Sequence, residues 1–236
     1  MATIIDKLSV FLPIYNEEAN IKSVTLATIR VLQVQAAEWE LIVVNDGSTD
    51  RSAEIIEELA RSEKRIKVVT HKVNEGYGAS IASGLYESKY PWISFMDSDG
   101  QFNFAEIEDF IRKQKETNAD LVIGFYKKRR VSTFKKITSK LWEFTVFALF
   151  GLKVRDIDCG FKLISKSVID TIPRLESQRG AFISSELLVK SVKAGFKIAQ
   201  VPVTHYPRTK GAGTGRNLNV IIKSFADLFR LWKKLR

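Results

Sequence analysis

In the stretch Trp92-Ile93-Ser94-Phe95-Met96-Asp97-Ser98-Asp99-Gly100-Gln101 an apolar run ends on two carboxylates two residues apart, followed by a glycine and an amide. The run 92–96 predicts a buried strand. In extended backbone Asp97 and Asp99 share a face, and Gly100 lets the chain turn so that Gln101 comes alongside. Two other runs end in the same manner, Phe11-Leu12-Pro13-Ile14-Tyr15-Asn16-Glu17 and Val43-Val44-Asn45-Asp46-Gly47. In open α/β sheets ligands bind beyond the carboxyl ends of the strands, so all three ends are expected to converge on one crevice.

Outward from that stretch, short β-branched runs alternate with amphipathic segments, the pattern of parallel strands joined by crossover helices. Strands are expected at 8–12, 41–44, 66–69, 92–96 and 121–124. A first helix is predicted from its apolar positions Ile21, Val24, Leu26, Ile29 and Leu32, and a second carries Ile55, Ile56 and Leu59 after the turn Asp46-Gly47-Ser48-Thr49. Gly76, Gly78 and Gly84 surround a small-residue helix over 79–85 that can pack closely on a sheet or a ligand. The expected class is α/β with a mostly parallel central sheet.

The 236 residues, 45% hydrophobic and 27% charged, suit one globular domain with a sizeable core. Residues 1–215 are read as the catalytic domain, with 125–152 as its acceptor- and membrane-facing segment, and 216–236 as a basic amphipathic C-terminal helix. A single cysteine, Cys159, and an N-terminus without the order of a secretory signal favour the reducing, cytoplasmic side. The longest apolar run, 144–152, falls far short of the roughly 20 residues that span a bilayer as a helix. Charge is divided unevenly: residues 1–124 hold 13 Lys/Arg against 20 Asp/Glu, and residues 125–236 hold 24 against 7. The second half therefore calls for an anionic partner.

The oxygen donors of Asp97, Asp99 and Gln101 together suit a hard divalent cation, Mg2+ or Mn2+, whose remaining positions go to water and substrate phosphate. Such a cation serves a nucleotide diphosphate as leaving group. A solvated turn would have the same Asp and Gly composition, but the position directly after a buried strand favours a site. The later ligand positions of an EF-hand loop are missing, the third glycine of a dinucleotide fingerprint is missing, and so is a P-loop. Phosphate must be held by metal and cations.

Taken in order, Leu12-Pro13-Ile14-Tyr15-Asn16-Glu17-Glu18, Val44-Asn45-Asp46-Gly47-Ser48-Thr49-Asp50, Asn74-x-Gly76, Asp97-x-Asp99-x-Gln101, Asp156-x-x-x-Gly160-Phe161-Lys162, Glu186-Leu187-Leu188 and Val201-Pro202-Val203 leading to His205 resemble the family 2 glycosyltransferases. The similarity is to their dolichol-phosphate mannose synthase and polyprenyl-phosphate glycosyltransferase branch. It covers nearly the whole chain and implies the GT-A, Rossmann-like fold of nucleotide-diphospho-sugar transferases. It also implies roles. Pro13, Tyr15, Glu17 and Asp46 would line the nucleoside pocket, Asp97 would lie beside ribose and phosphates, and Asp99 with Gln101 would hold the metal. Arg208 and Lys210 match basic positions on a segment closing over the diphosphate. Lys135 and Ser139 keep the spacing of an acceptor-phosphate pair. Where the branch has Arg two residues after the glycine of strand five, this chain has Gly124-Phe125-Tyr126, so Lys127 or Lys128 would substitute. Asp158 and Cys159 replace the commoner Thr and Ser before Gly160, which leaves the sugar open. Asp156 and Asp158 join Asp97, Asp99 and Glu186 as candidate catalytic carboxylates.

The expected reaction is inverting transfer from a nucleotide diphosphate sugar, GDP-mannose or a UDP-sugar, to a polyprenyl or dolichyl phosphate. A phosphate acceptor is already ionised and needs cations for positioning, whereas a sugar hydroxyl would need a base. The basic cluster over 127–140 suits the phosphate, or else is a solvated face. From Leu218 the apolar positions 221, 222, 225, 228, 229, 232 and 235 recur at helical spacing, which fits an anionic membrane surface or packing on the core. The segment 141–152, with Trp142, Phe144, Phe147 and Phe150, is apolar nearly all round and is either buried or dipped into lipid. A peripheral enzyme on the cytoplasmic face of a membrane follows, with an integral membrane protein as a further partner. Glu186 is either a base near the acceptor sugar or a local cap, and His205 either a phosphate contact or a structural residue. The rivals are a transferase acting on a sugar hydroxyl and a basic binding module. Nucleic acid is not expected, because basic and aromatic residues do not interleave on a strand.

Overall fold

The computed structural model describes residues 4–127, 133–177, 182–208 and 218–235, with side chains placed in all of these except 133–139 and 218–226. In chain order the elements are β1 (Ile5–Ile14), α1 (Ile21–Gln35), β2 (Ala36–Asn45), α2 (Ser52–Ser62), β3 (Ile66–Thr70), α3 (Tyr77–Glu87), β4 (Trp92–Met96), a 3-10 turn (Phe104–Glu106), α4 (Ile107–Thr117), β5 (Leu121–Tyr126), α5 (Thr133–Phe150), β6 (Phe161–Ser165), α6 (Lys166–Thr171), α7 (Phe182–Lys193), β7 (Ile198–Val203) and α8 (Leu218–Leu235).

The strands form one sheet in the order β3-β2-β1-β4-β6-β5-β7. Pairs β1/β2, β1/β4, β2/β3 and β5/β7 are parallel, while β6 runs antiparallel to both neighbours, β4 and β5. Central strands read as continuous apolar runs because helices cover both faces. Leu8, Val10, Phe11 and Leu12 of β1 have no exposed surface. One face carries the core packed with Ile21, Ile29, Leu32, Ile56, Phe110 and Ile111 from α1, α2 and α4. The other carries Ile81, Leu85, Trp142, Val146, Ile183 and Leu187 from α3, α5 and α7.

β4 lies where the sequence places it. The other expected strands exist but extend further, β2 starting directly where α1 ends. In α1 the buried stripe is Ile21, Val24, Thr25, Thr28, Ile29 and Leu32. Leu26, expected on it, is 40% exposed because its turn position faces away from the sheet. β6 is the strand the periodicity does not reveal. Its five residues are too few to show a period, and its antiparallel insertion breaks the alternation of strand and crossover helix.

Of the two alternatives for the segment 141–152, buried or dipped into lipid, α5 leaves the second open, because only one of its sides is covered by the domain. Trp142 and Val146 are buried, while Leu141, Phe144 and Phe147 are exposed. α8 rests on the core through Leu228 and Leu231, with Lys193 Nζ donating to the Leu235 carbonyl at 2.7 Å. Its apolar side is thus at least partly used for packing on the domain, although Phe229 stays exposed.

α3 comes so close to β1 that a β-carbon on Gly84 would lie 2.2 Å from Cδ2 of Phe11, whose ring stacks on Phe95 at a centroid distance of 5.0 Å. Gly84→Ala must displace that stack. A loss of about 1 to 3 kcal/mol is expected for overpacking of this kind, measured by urea denaturation against the parent chain.

Candidate active site

The crevice is built by turns that hold one another by hydrogen bonds. Asn16 adopts the left-handed conformation at the end of β1, with φ 55°. Its N–H donates to Ser48 Oγ at 3.1 Å, its side-chain oxygen accepts from the Thr49 N–H at 2.8 Å, and the Glu17 N–H donates to Ser52 Oγ at 2.9 Å. The turn after β2 therefore fixes the turn after β1. Ser98 Oγ donates to the Pro13 carbonyl at 2.6 Å and ties the end of β4 to both.

Asp46 is 3% exposed and its carboxylate is used up locally. Oδ1 accepts from the Glu75 N–H at 2.9 Å, Oδ2 accepts from the Gly76 N–H at 2.8 Å, and His71 Nδ1 lies 2.8 Å from Oδ1. An ionised carboxylate only accepts, so Nδ1 carries the hydrogen, and Nε2, 2.9 Å from Ser83 Oγ, accepts from the hydroxyl. Asp46 thus shapes the floor of the crevice by anchoring the 75–76 turn. Its place at the end of β2 is the one expected to line the nucleoside pocket, whereas His71, a lone histidine after a strand, carries no spacing signal. Pro13 is buried beneath the crevice, while Tyr15 stands 40% exposed at its rim.

Asp97 Oδ1 accepts from the Tyr77 hydroxyl at 2.8 Å. Burial first, and the charge of Asp99 second, push its carboxyl up to about 7. Asp99 Oδ1 accepts from the Gln101 N–H at 3.0 Å. Gln101 also exchanges two bonds with Tyr206: its Nε2 donates to the Tyr206 carbonyl at 2.8 Å, and the Tyr206 N–H donates to the Gln101 carbonyl at 2.8 Å. The amide is thereby oriented, with Oε1 as its remaining acceptor. Arg208 reaches across, Nη2 to Glu17 Oε1 at 2.5 Å and Nη1 to Asp99 Oδ2 at 3.6 Å. A guanidinium that bridges two carboxylates marks the crevice as a place for positive charge. Among the described residues no group of three His, Cys, Asp or Glu could hold a metal by itself. Asp99 and Gln101 supply an oxygen set for a hard cation that takes its other positions from water and phosphate.

The segment before β6 closes the site from the other side. A β-carbon on Gly160 would lie 2.1 Å from Asp97 Oδ2, so the backbone of this segment lies directly against that carboxylate. Asp156 is buried and its Oδ1 accepts from the Asp158 N–H at 3.2 Å, which folds both residues into the same turn. Burial pushes the Cys159 thiol up to about 12, well out of the nucleophilic range.

The remaining expected residues have other partners or fall outside the described side chains. Lys127 is 3.8 Å from Glu106, whose carboxylate also accepts from the Thr204 N–H. His205 packs edge-on against Tyr126 at 4.6 Å and Phe102 at 5.4 Å. Lys135 and Ser139 fall in α5 where side chains lie outside the described residues, and Lys128 and Lys210 lie outside them altogether.

Glu186 is held by local partners. Its oxygens accept from the Glu176 and Ser177 N–H groups at 2.9 Å each, and Lys190 Nζ stands 2.6 Å away with its side chain 1% exposed. Despite the opposing effect of burial, the hydrogen bonds from Lys190 and Ser177 hold its carboxyl below the usual range. Glu186→Gln leaves the Lys190 ammonium buried without its anion, and a loss of about 3 kcal/mol or more is expected in denaturation at neutral pH. Because the folded pKa is depressed, this contribution is present above the unfolded value of about 4.3 and disappears as pH falls through the folded one. Turnover per folded molecule should persist, and its complete loss in a stable Glu186→Gln protein would restore the base assignment.

Comparison with known proteins agrees with this geometry. The chain is 28% identical over 249 residues to a dolichyl-phosphate beta-glucosyltransferase of Trichomonas vaginalis, covering 97% of this chain and 75% of that protein. It is 27% identical over 235 residues to a dodecaprenyl-phosphate galacturonate synthase of Rhizobium johnstonii, covering 98% and 69%. Among solved structures, glucosyl-3-phosphoglycerate synthase from Mycobacterium tuberculosis, crystallised with Mn2+, uridine diphosphate and phosphoglyceric acid, superposes with a TM-score of 0.70 at 21% identity over 96% of this chain and 78% of that one. The model of glycosyl transferase family 2 matches residues 9–172, a span that runs from β1 past α6 and contains Glu17, Asp46, Asp97, Asp99, Asp156 and Asp158, and the chain belongs to that family.

Proposed function

We propose that this glycosyltransferase moves a sugar, with inversion, from a nucleotide diphosphate sugar to the phosphate of a polyprenyl lipid at an anionic membrane surface. The observation that carries the acceptor assignment is the exposed side of α5. Phe144 is 66% and Phe147 48% exposed, and together with Leu152, Val154, two lysines, Lys140 and Lys153, and one carboxylate, Glu143, they line an open cleft of about 370 Å³. Greasy rings flanked by ammonium groups match a lipid whose head is a phosphate. The same helix leads through residues 151–160 to Gly160 beside Asp97, so the lipid side and the carboxylate side are joined by one short segment. The names of the two relatives, both acting on a prenyl-type lipid phosphate, support the reading.

Tyr15 and Glu17 at the end of β1 would receive the nucleoside. Asp99 and Gln101 would hold Mg2+ or Mn2+, which when bound offsets the charge of the diphosphate leaving group. Arg208, already positioned between Glu17 and Asp99, supplies a second cation on the same side. Asp97 and the turn of Asp156 and Asp158 face the sugar. No helix among the described residues is long and apolar enough to cross a membrane. Contact with the bilayer would run through the exposed side of α5, on the side we assign to the cytoplasm, with room for an integral membrane partner. Transfer to a sugar hydroxyl is less favoured, because the engaged Glu186 leaves that chemistry without its expected base.

Assay of UDP-glucose, UDP-N-acetylglucosamine and GDP-mannose with a polyprenyl phosphate, in Mg2+ and in Mn2+, tests the reading. One donor should give a sugar-phosphate lipid, and Asp99→Asn should lower its turnover on the order of 100-fold or more, the scale of losing one charge-stabilising group. Transfer only to a hydroxyl acceptor would sink the assignment. For the surface, Phe144→Ser with Phe147→Ser removes about 1.5 to 3 kcal/mol per ring of apolar burial. Sedimentation with anionic vesicles and turnover on long-chain lipid phosphate should both fall, while turnover on a short, water-soluble prenyl phosphate stays near the parent value.

A further inference from the structure

Lys162 is an ionisable side chain with none of its surface exposed. It sits on β6 opposite Phe95 of β4, one residue before the end of that strand, and its Nζ lies 5.3 Å from the Phe95 ring centroid. Nζ donates to the Cys159 carbonyl at 2.5 Å and to Ser184 Oγ of α7 at 3.3 Å. Burial pushes its pKa down, and Cys159, Asp158, Asp156 and Asp97 oppose that effect. An apolar side chain of similar volume would fill this place without taking a charge out of water, so packing alone does not account for a lysine here.

What the lysine does is set by what it holds. The Cys159 carbonyl belongs to the peptide that joins Cys159 to Gly160, and Gly160 is the residue whose backbone lies against Asp97. The same turn carries Asp156 and Asp158. We propose that Lys162 is a positioning residue of the transfer: from beneath the crevice it pins the 156–160 turn through the Cys159 carbonyl, keeping the sugar-facing carboxylates Asp156 and Asp158 in register with Asp97. This rests on the donor half of the reading above and not on the identity of the acceptor. The nucleotide side, formed by the turns after β1 and β2, is anchored independently through Ser48, Ser52 and Ser98 and does not depend on Lys162.

The test compares Lys162→Met, Lys162→Arg and Ser184→Ala with the parent chain. Nucleoside diphosphate affinity in Mn2+ is read by calorimetry. kcat and KM are read both for transfer and for slow hydrolysis of the donor, and backbone protection of 156–160 by hydrogen exchange. In Lys162→Met, kcat should fall roughly 30-fold or more with donor KM and nucleotide affinity within about threefold, the pattern of an interaction that matters in the transition state. Exchange in 156–160 should accelerate while β1 and β4 stay protected. Lys162→Arg, which keeps a donor, should recover part of kcat, and Ser184→Ala should lower it a few-fold with the same split. A folded Lys162→Met with parental kcat and protection would overturn the proposal, and so would loss of nucleotide affinity in parallel with kcat. If Lys162→Met does not fold, parental kcat and exchange in both Lys162→Arg and Ser184→Ala overturn it equally. Absence of lipid-phosphate transfer by the parent chain would count against the acceptor reading alone, since hydrolysis and exchange still report on Lys162.

Discussion

The approach of the Gly160 backbone to the Asp97 carboxylate, with 2.1 Å left for a β-carbon, is the constraint around which the two halves of the molecule are arranged. It requires β6 to enter the sheet beside β4 with its first residue at the carboxyl end of that strand, which only an antiparallel neighbour can do. The parallel half, β3-β2-β1-β4, brings the turns after β1, β2 and β4 to one edge. The reversed strand then returns the chain to that edge from the opposite direction, carrying Asp156 and Asp158 with it. The stacked Phe161 and Phe110, centroids 4.4 Å apart, support β6 from one face together with Cys159, and Lys162 fills the other side beside Phe95 and Ser184.

Electrostatically the crevice is a balanced arrangement. Glu17, Asp97 and Asp99 gather at one edge of a chain whose net charge is +10, and Arg208 bridges two of them from 191 and 109 residues away in sequence. Carboxylates this close, partly out of water, repel, and the elevated Asp97 carboxyl is the measure of that repulsion and of burial together. The site is thus one that favours incoming cations and, through them, a polyphosphate. Glu17, Asp97 and Asp99 come from the first half of the chain, and the guanidinium, with Asp156 and Asp158, from the second.

The run 92–96 was legible because a short apolar strand ending in charge can be recognised without its partners, and the helical stripe of α1 was legible apart from Leu26. The expectation that Asp97, Asp99 and Gln101 come together rested on strand alternation and a glycine, and the geometry has that same origin. β6, His71 and the engaged state of Asp46 and Glu186 were not legible. Each depends on contacts far apart in sequence: His71 meets Asp46 and Ser83, and Glu186 meets backbone N–H groups of residues 176 and 177 beyond the start of its own helix. A carboxylate in a sequence looks alike whether it faces a ligand or two peptide N–H groups, and only packing tells these apart.

The antiparallel β6 has one more effect. Because the segment from the end of α5 to Gly160 is bounded by a helix on one side and a strand on the other, it behaves as an interchangeable cassette set into an otherwise fixed frame. Changes between the end of α5 and Asp156 can be absorbed without shifting the strand ends that form the opposite wall, provided that the turn of Asp156 and Asp158 is kept and position 160 stays without a side chain. In such an architecture the two walls of the crevice belong to separate pieces of chain.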